Sequence, residues 1–348
     1  MKTLVKLVLV IIFTTSIFSC QEADNVTAAP ARPYAEVYPE DLAKIEAFLN
    51  THYVTVDADF NTTFTQIPVG GTQTPIAQMS NLEHIERNFH DITYKIYYLK
   101  LREGIGESPT RVDSSFVAYK GNTFTKTTTN NVDTYTQNVF DQSDTPVWFA
   151  LEDVIKGWGE IIPLFKTGTH TVNADGTVSF QNYGAGVMFL PSGLGYYNTA
   201  TGNIASYSPL IFNFKLYNKR YRDHDRDQIP SRFEYGLPEL PNGEVDYVNG
   251  KINYNKTALD TDGDGLPNYL DVDDDADGVL TKVEIKKPTP FLGSNLYYPF
   301  DPVADDPSTP FVNELEPKGI PNASGDGTSP ARLRRHLDKT TKPPYTIY

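Results

Sequence analysis

Ile92-Thr93-Tyr94-Lys95-Ile96-Tyr97-Tyr98-Leu99-Lys100-Leu101 is the stretch whose reading decides the fold class. β-Branched and aromatic side chains crowd it, and such residues suit a pleated, half-buried surface. Gly104-Ile105-Gly106 then supplies a turn. Further along, Ser115 to Lys120, Val187 to Leu190 and Leu210 to Tyr217 read as strands, while Glu152 to Ile162 reads as one short helix stopped by Pro163 and Gly168. The expectation is an α+β domain over residues 92–220, an antiparallel β-sheet wrapped around one short helix.

On the N-terminal side, residues 37–91 read as a helical or mixed segment. A helix is expected after Pro39, with Glu40 and Asp41 in its first turn and Leu42, Ile45, Phe48 and Leu49 at helical spacing. Tyr53 to Ile67 alternates as strand, and Asn81 to Phe89 is expected to form a second short helix.

The formal charge of −14 disfavours nucleic acid or an anionic membrane surface as a partner. Cys20 is the only cysteine, which excludes an intramolecular disulfide and a cysteine-based zinc site. Lys2 and Lys6 precede the apolar run Leu7 to Phe18, and Ser19 stands before Cys20, the layout of a secretory signal. A small residue before a lone cysteine resembles the bacterial lipobox. The resemblance implies a signal peptide over residues 1–19, lipidation at Cys20, and a disordered tether over residues 20–36. Gln21-Glu22-Ala23-Asp24 resembles the short acidic signals that send some Bacteroidetes lipoproteins to the cell surface. The expected location is the cell envelope, anchored by lipid to the outer membrane, on either its periplasmic face or the cell surface.

Six fragments in order resemble bacterial FKBP-type peptidyl-prolyl isomerases. They are Tyr98 to Pro109; Val117-Ala118-Tyr119-Lys120-Gly121; Phe140-Asp141; Phe149 to Trp158; Pro191-Ser192-Gly193-Leu194-Gly195-Tyr196; and Leu210 to Leu216. The resemblance implies a pocket with Trp158 as floor, Tyr119, Phe140 and Phe212 as walls, and Val154, Ile155 and Ile204 as apolar lining. It also implies that the Ile155 backbone N–H and Tyr196 bond substrate carbonyls, with Asp141 beside the carbonyl that precedes proline. Phe149, Leu151 and Phe214 are expected to be plain core.

The chemistry is consistent with such an inventory. Rotating an X-Pro amide crosses a barrier of about 18–20 kcal/mol that comes from lost resonance, so no nucleophile, metal or cofactor is needed for catalysis. A dry apolar cleft for the ring and a few fixed donors suffice. The sequence departs from the family in a Thr/Asn-rich stretch at Thr125 to Gln137, expected to be a loop, and in a second insertion at His170 to Ala185. The latter carries the hairpin signal Asn173-Ala174-Asp175-Gly176. Tyr197 stands where the family has glycine, Val147 where it has an aromatic residue, and Asn203 where it has isoleucine. The implied function is isomerisation of proline-containing polypeptides during folding of exported proteins. The alternative is a catalytically weak peptide-binding or adhesion lipoprotein on the same scaffold, stabilised by calcium.

Beyond residue 220 the sequence turns acidic. Asp223, Asp225 and Asp227 are followed by Glu234 at the twelfth position. Asp260, Asp262 and Asp264 are followed by Asp271, and Asp273, Asp275 and Asp277 by Glu284. Carboxylates at positions 1, 3, 5 and 12 match a calcium loop, because Ca²⁺ takes six to eight oxygens. Nine acidic residues and one lysine lie between Thr257 and Glu284, a repulsion that a cation would relieve. The wording around Asp262-Gly263-Asp264-Gly265 resembles thrombospondin type 3 repeats, which implies structural Ca²⁺ over residues 221–285. Residues 286–348 read as Pro-rich and irregular, and Arg332, Arg334 and Arg335 as a solvated basic face.

Overall fold

The computed structural model describes residues 30–130, 132–235, 258–288, 296–300, 319–329 and 332–345. The signal segment, Cys20 and the tether up to residue 29 lie outside them. Among the described residues no helix is long and apolar enough to cross a membrane.

The quoted stretch becomes β4 (Ile92–Arg102), and alternation does what the pattern requires. Tyr94, Ile96 and Tyr98 pack into one core while Tyr97 and Leu99 pack into another on the opposite face. The sheet has six antiparallel strands in the order β3-β4-β9-β10-β5-β6, where β3 is Leu82–Phe89, β5 Ser114–Thr129, β6 Val132–Ala150, β9 Gly184–Leu190 and β10 Leu210–Arg220. The fold is α+β with few helices. The short helix α2 (Lys156–Ile161) covers one face, and Gly157 lets it approach, since a Cβ there would meet Leu190 at 2.5 Å.

The other face carries the N-terminal helix α1 (Tyr34–Thr51) and the hairpin of β1 (His52–Val56) and β2 (Thr62–Gln66). Ile45, Phe48 and Leu49 bury against Leu99, Val187, Phe189 and Ile211. The helix begins at Tyr34, six residues before its expected start, so residues 34–36 are not tether. Pro39 inside it forfeits a helical hydrogen bond. Tertiary contacts offset that loss: Val37 is buried, Tyr34 stacks between His90 and Tyr197, and the Lys95 N–H donates to Tyr38 Oη at 2.7 Å.

Two expected segments are different elements. Asn81 to Phe89 is not a helix: Leu82–Phe89 is edge strand β3, with Ile85 and Phe89 turned to the core. A two-residue turn joins it to β4, and His90 and Asp91 both take positive φ (54° and 60°), the geometry that tight hairpins demand. The sheet therefore starts at residue 82, not 92. Thr125 to Gln137 is not a loop but the outer part of the β5–β6 hairpin, where Thr125 pairs with Thr136 and Thr127 with Thr134. Threonine is β-branched, and cross-strand threonine pairs hold a strand without apolar alternation. The second insertion is a hairpin as its turn signal implied, β7 (Thr169–Val172) with β8 (Val178–Gln181).

The C-terminal region builds a small core from Ile229, Ile285, Phe300 and Ile320. Arg332, Arg334 and Arg335 are not a solvated face: they are buried. Arg332 Nε donates to the Ile320 carbonyl at 2.6 Å, the Arg334 guanidinium lies 3.7 Å from the Phe300 ring, and that of Arg335 lies 4.4 Å from the Tyr345 ring. Flat, weakly hydrated guanidinium groups suit such stacked positions.

Candidate functional site

Trp158 sits in α2, 3% exposed, and rings converge on it edge-on. Its ring centroid is 5.3 Å from Phe212, 5.4 Å from Tyr119 and 5.5 Å from Phe149. Phe140 meets Phe212 at 5.4 Å. Edge-to-face packing of this kind is favoured by ring quadrupoles and gives rigid apolar walls. Register shifts in the β5–β6 pairing, at Val117/Tyr119 and Gly121/Asn122, re-aim Tyr119 and the Phe140-Asp141 pair. Gly121 is needed there, because a Cβ would come within 2.6 Å of the Phe140 ring and 2.8 Å of Phe212.

Val154, Ile155 and Tyr196 are half-buried beside this cluster, and Ile204 is 4% exposed within it. Ile155 precedes α2 with its carbonyl accepting the Trp158 N–H at 3.0 Å; among the described residues nothing accepts its own N–H. Tyr119 Oη donates to Asp141 Oδ2 at 2.6 Å, with Asp141 exposed at the rim. Burial, with help from the Asp141 carboxylate, raises the Tyr119 and Tyr196 hydroxyls above the usual phenol range, so Tyr196 stays a proton donor at neutral pH. All nine residues named from the sequence lie in one neighbourhood. Leu151 and Phe214 are core, at 2% and 0% exposed. Phe149 is not: it is half-buried between Tyr119 and Trp158 and belongs with the walls.

The loop that presents Tyr196 is fixed from behind. Asp41 of α1, fully buried, accepts the Ser192 N–H at 2.8 Å and the Ser192 hydroxyl at 2.5 Å. Tyr197 takes φ 52°, a region that favours glycine, and stacks on Tyr34 at 3.9 Å. A polar cleft of about 470 Å³ lies on the sheet's other face, lined by Asp59, Lys120, Asn213, Lys215 and Tyr217 among others. Its charged lining is the wrong chemistry for a prolyl ring.

The acidic loops share one backbone design. At position 6 the N–H donates to the position-1 carboxylate in each: Gln228 to Asp223, Gly265 to Asp260, Gly278 to Asp273, with φ of 88°, 94° and 87°. Gln228 adopts this glycine conformation without being glycine. Candidate ligand oxygens of Asp223, Asp225 and Asp227 lie within 4.8 Å of one another, as do those of Asp260, Asp262 and Asp264, and of Asp273, Asp275 and Asp277. One-turn helices α3 (Ser231–Glu234) and α4 (Thr281–Glu284) end in the twelfth-position glutamates, 2% and 1% exposed. Asp271 is not gathered with the second cluster; its Oδ1 accepts the Asp273 N–H instead.

The donor set fits a hard cation. Asp223, Asp225, Asp227, Glu234, Asp273, Asp275, Asp277 and Glu284 each hold a buried oxygen with no hydrogen-bond partner, and so does Asp274, which the twelve-residue spacing did not single out. Buried carboxylates left so need a metal or protons. Without a cation, burial and then Asp227 and Asp225 push Asp274 up to about 9; burial takes Glu284 up to about 8 and Asp275 to about 6. Asp225, Asp227 and Glu234 rise too, by burial first and then by neighbouring carboxylates. Raised carboxyls stabilise a fold below their ordinary values, about 4, and that contribution is lost as pH rises through the raised ones. Chelated protein is therefore expected to protect its loop amides better at about pH 5 than about pH 8, after correction for intrinsic exchange. Hydrogen-exchange mass spectrometry checks this, and equal protection at both pH values would contradict it.

The first loop is tied to the aromatic site. Arg222 Nη1 lies 2.5 Å from Glu152 Oε1, and His224 Nε2 meets the same carboxylate, two residues before Val154. Arg111 spans Tyr235 Oη at 3.2 Å and buried Glu160 of α2 at 2.5 Å, and Glu160 also pairs with Arg87 at 2.7 Å.

The family model described as BamM C-terminal matches residues 224–311, which take in most of the acidic loops and none of the aromatic site. No curated protein matches the chain. Among solved structures it is similar to a peptidyl-prolyl cis-trans isomerase from Pseudomonas syringae pv. tomato str. DC3000, at 18% identity and a TM-score of 0.31, over 55% of this chain and 98% of that one. FkpA from Escherichia coli gives 19% and 0.31, over 53% and 62%. The N-terminal domain of FKBP42 from Arabidopsis thaliana gives 15% and 0.26, over 36% and 86%. Likenesses at such TM-scores carry no weight for function.

Proposed function

We propose that this chain is an exported peptidyl-prolyl isomerase of the FKBP type, held rigid by calcium in its C-terminal loops. The convergence of Tyr119, Phe140, Phe149 and Phe212 around Trp158, with the free Ile155 N–H and the Tyr196 hydroxyl at its margin, carries the reading. The prolyl ring lies against the indole, and the two donors hold the flanking carbonyls while the amide twists. The rings exclude water and so favour the less polar twisted state. Calcium does no chemistry. It neutralises the loop carboxylates and so steadies Arg222 and His224, which brace Glu152 beside the pocket.

The substrates are proline-containing segments of exported proteins, whose X-Pro steps are slow enough to limit folding. Lipid attachment at Cys20 and the cell envelope follow from the N-terminal sequence. The BamM C-terminal match supports an outer-membrane setting.

The full-length protein is expected to accelerate cis-trans exchange in a short X-Pro peptide. Asp141→Ala, which frees Tyr119 Oη, should slow it by roughly tenfold, the scale of one lost hydrogen bond at a twisting amide. Exchange spectroscopy by NMR measures both rates. A wild-type protein that gives no acceleration leaves the scaffold as a peptide binder or adhesin.

A further inference from the structure

We propose that Asp274, which belongs to the third loop, closes the cation site of the first loop, so that the two loops bind their ions as a coupled pair. The inference rests on the calcium reading above and adds a ligand and a linkage to it. Asp225, Glu234 and Asp274 bring candidate ligand oxygens within 4.8 Å of one another, and Asp225 is equally close to Asp223 and Asp227. The two groups share Asp225, although about forty residues of sequence separate Glu234 from Asp274.

An acidic cluster alone would not make a site. Glu234 is 2% exposed and Asp274 1% exposed, and both carboxylate oxygens of each lack any hydrogen-bond partner. Asp223 Oδ1, Asp225 Oδ2 and Asp227 Oδ2 are likewise unpartnered, which makes seven buried oxygens, within the six to eight that Ca²⁺ takes. His336 Nε2 stands 3.9 Å from Asp274 Oδ2, too far for a hydrogen bond. Burying such a group with nothing opposite is among the costliest arrangements in a protein, and a divalent cation resolves it.

Successive residues then serve different ions. Asp273, Asp275 and Asp277 gather around the third loop's own site, while Asp274 between them turns to the first loop. The Asp274 N–H also donates to Thr281 Oγ1 at 3.2 Å, which pins the segment to the start of α4. An ion in either loop therefore orders the backbone that presents a ligand to the other, which is positive coupling.

Calorimetric titration of Ca²⁺ into the full-length, chelator-stripped protein tests this. Asp274→Asn should weaken one site by at least about tenfold, since affinity follows ligand charge count, and should lower the cooperativity of the rest. Asp274→Asn combined with Asp227→Asn should bind like Asp227→Asn alone, whereas Asp274→Asn with Asp264→Asn in the second loop should be additive. The metal-free Asp274→Asn protein should melt no lower than the metal-free wild type, because neither Asp274 oxygen has a hydrogen-bond partner to lose. Wild-type stoichiometry, affinity and cooperativity in Asp274→Asn overturn the bridge while leaving calcium binding intact. A wild-type protein that takes up no Ca²⁺ overturns both.

Discussion

Stripping divalent cations is expected to unfold the described residues between Tyr221 and Tyr345 while the six-stranded sheet stays protected. Among the described residues the region's core holds four buried apolar side chains, Ile229, Ile285, Phe300 and Ile320, each stabilising by about 1.5–3 kcal/mol. Against them stand eleven buried carboxylate oxygens without partners in the first and third loops, at about 1–3 kcal/mol or more apiece. The sum runs the wrong way without a metal, so folding and cation binding are one equilibrium there. Free Ca²⁺ at about a thousand times its Kd would restore roughly 4 kcal/mol per site. Hydrogen-exchange mass spectrometry with and without chelator reads the two regions separately. Identical protection of residues 258–288 in both conditions would falsify the calcium assignment.

Phe212→Ala should cost more in catalysis than any other single change to the sheet. Phe212 touches Trp158, Phe140 and Tyr119, so its removal strips three ring contacts from the site at once. Loss of a buried ring costs about 3–5 kcal/mol of stability. If a comparable fraction is lost in the twisted state, isomerisation falls by roughly a hundredfold or more. Stability loss alone would mimic this, and Phe189→Ala supplies the control. Phe189 is as buried, but on the opposite face against α1. Both variants should melt earlier, and only Phe212→Ala should lose rate below its melting temperature. Equal rates in the two folded variants would remove the pocket from the mechanism.

Much of this arrangement was legible beforehand because the relevant signals are local. The β-branched and aromatic content of Ile92 to Leu101 and Leu210 to Tyr217 survives as β4 and β10. The 1-3-5 carboxylate spacing survives as three loops of the same wrap. What was missed depends on distant partners. Leu82 to Phe89 has apolar residues that suit either period, and pairing with β4 decides for strand. The threonine run at 125–129 carries no apolar pattern, and its partner strand supplies one. Asp274 sits at no ligand position of its own loop, and only the approach of Glu234 gives it a role. Arg334 and Arg335 look like surface until Phe300 and Tyr345 arrive to stack on them, and Arg332 until the Ile320 carbonyl accepts from it.

The bond from Asp41 to Ser192 bridges 151 residues, and it joins the first element of the fold to the loop that carries Tyr196. Helix α1 is synthesised before any strand of its sheet, and its apolar stripe must wait for Val187, Phe189 and Ile211. High contact order of this sort slows folding, and the waiting helix is exposed to wrong partners meanwhile. A protein proposed to hasten the folding of others is thus itself a late folder, complete only once nearly two thirds of its length has emerged.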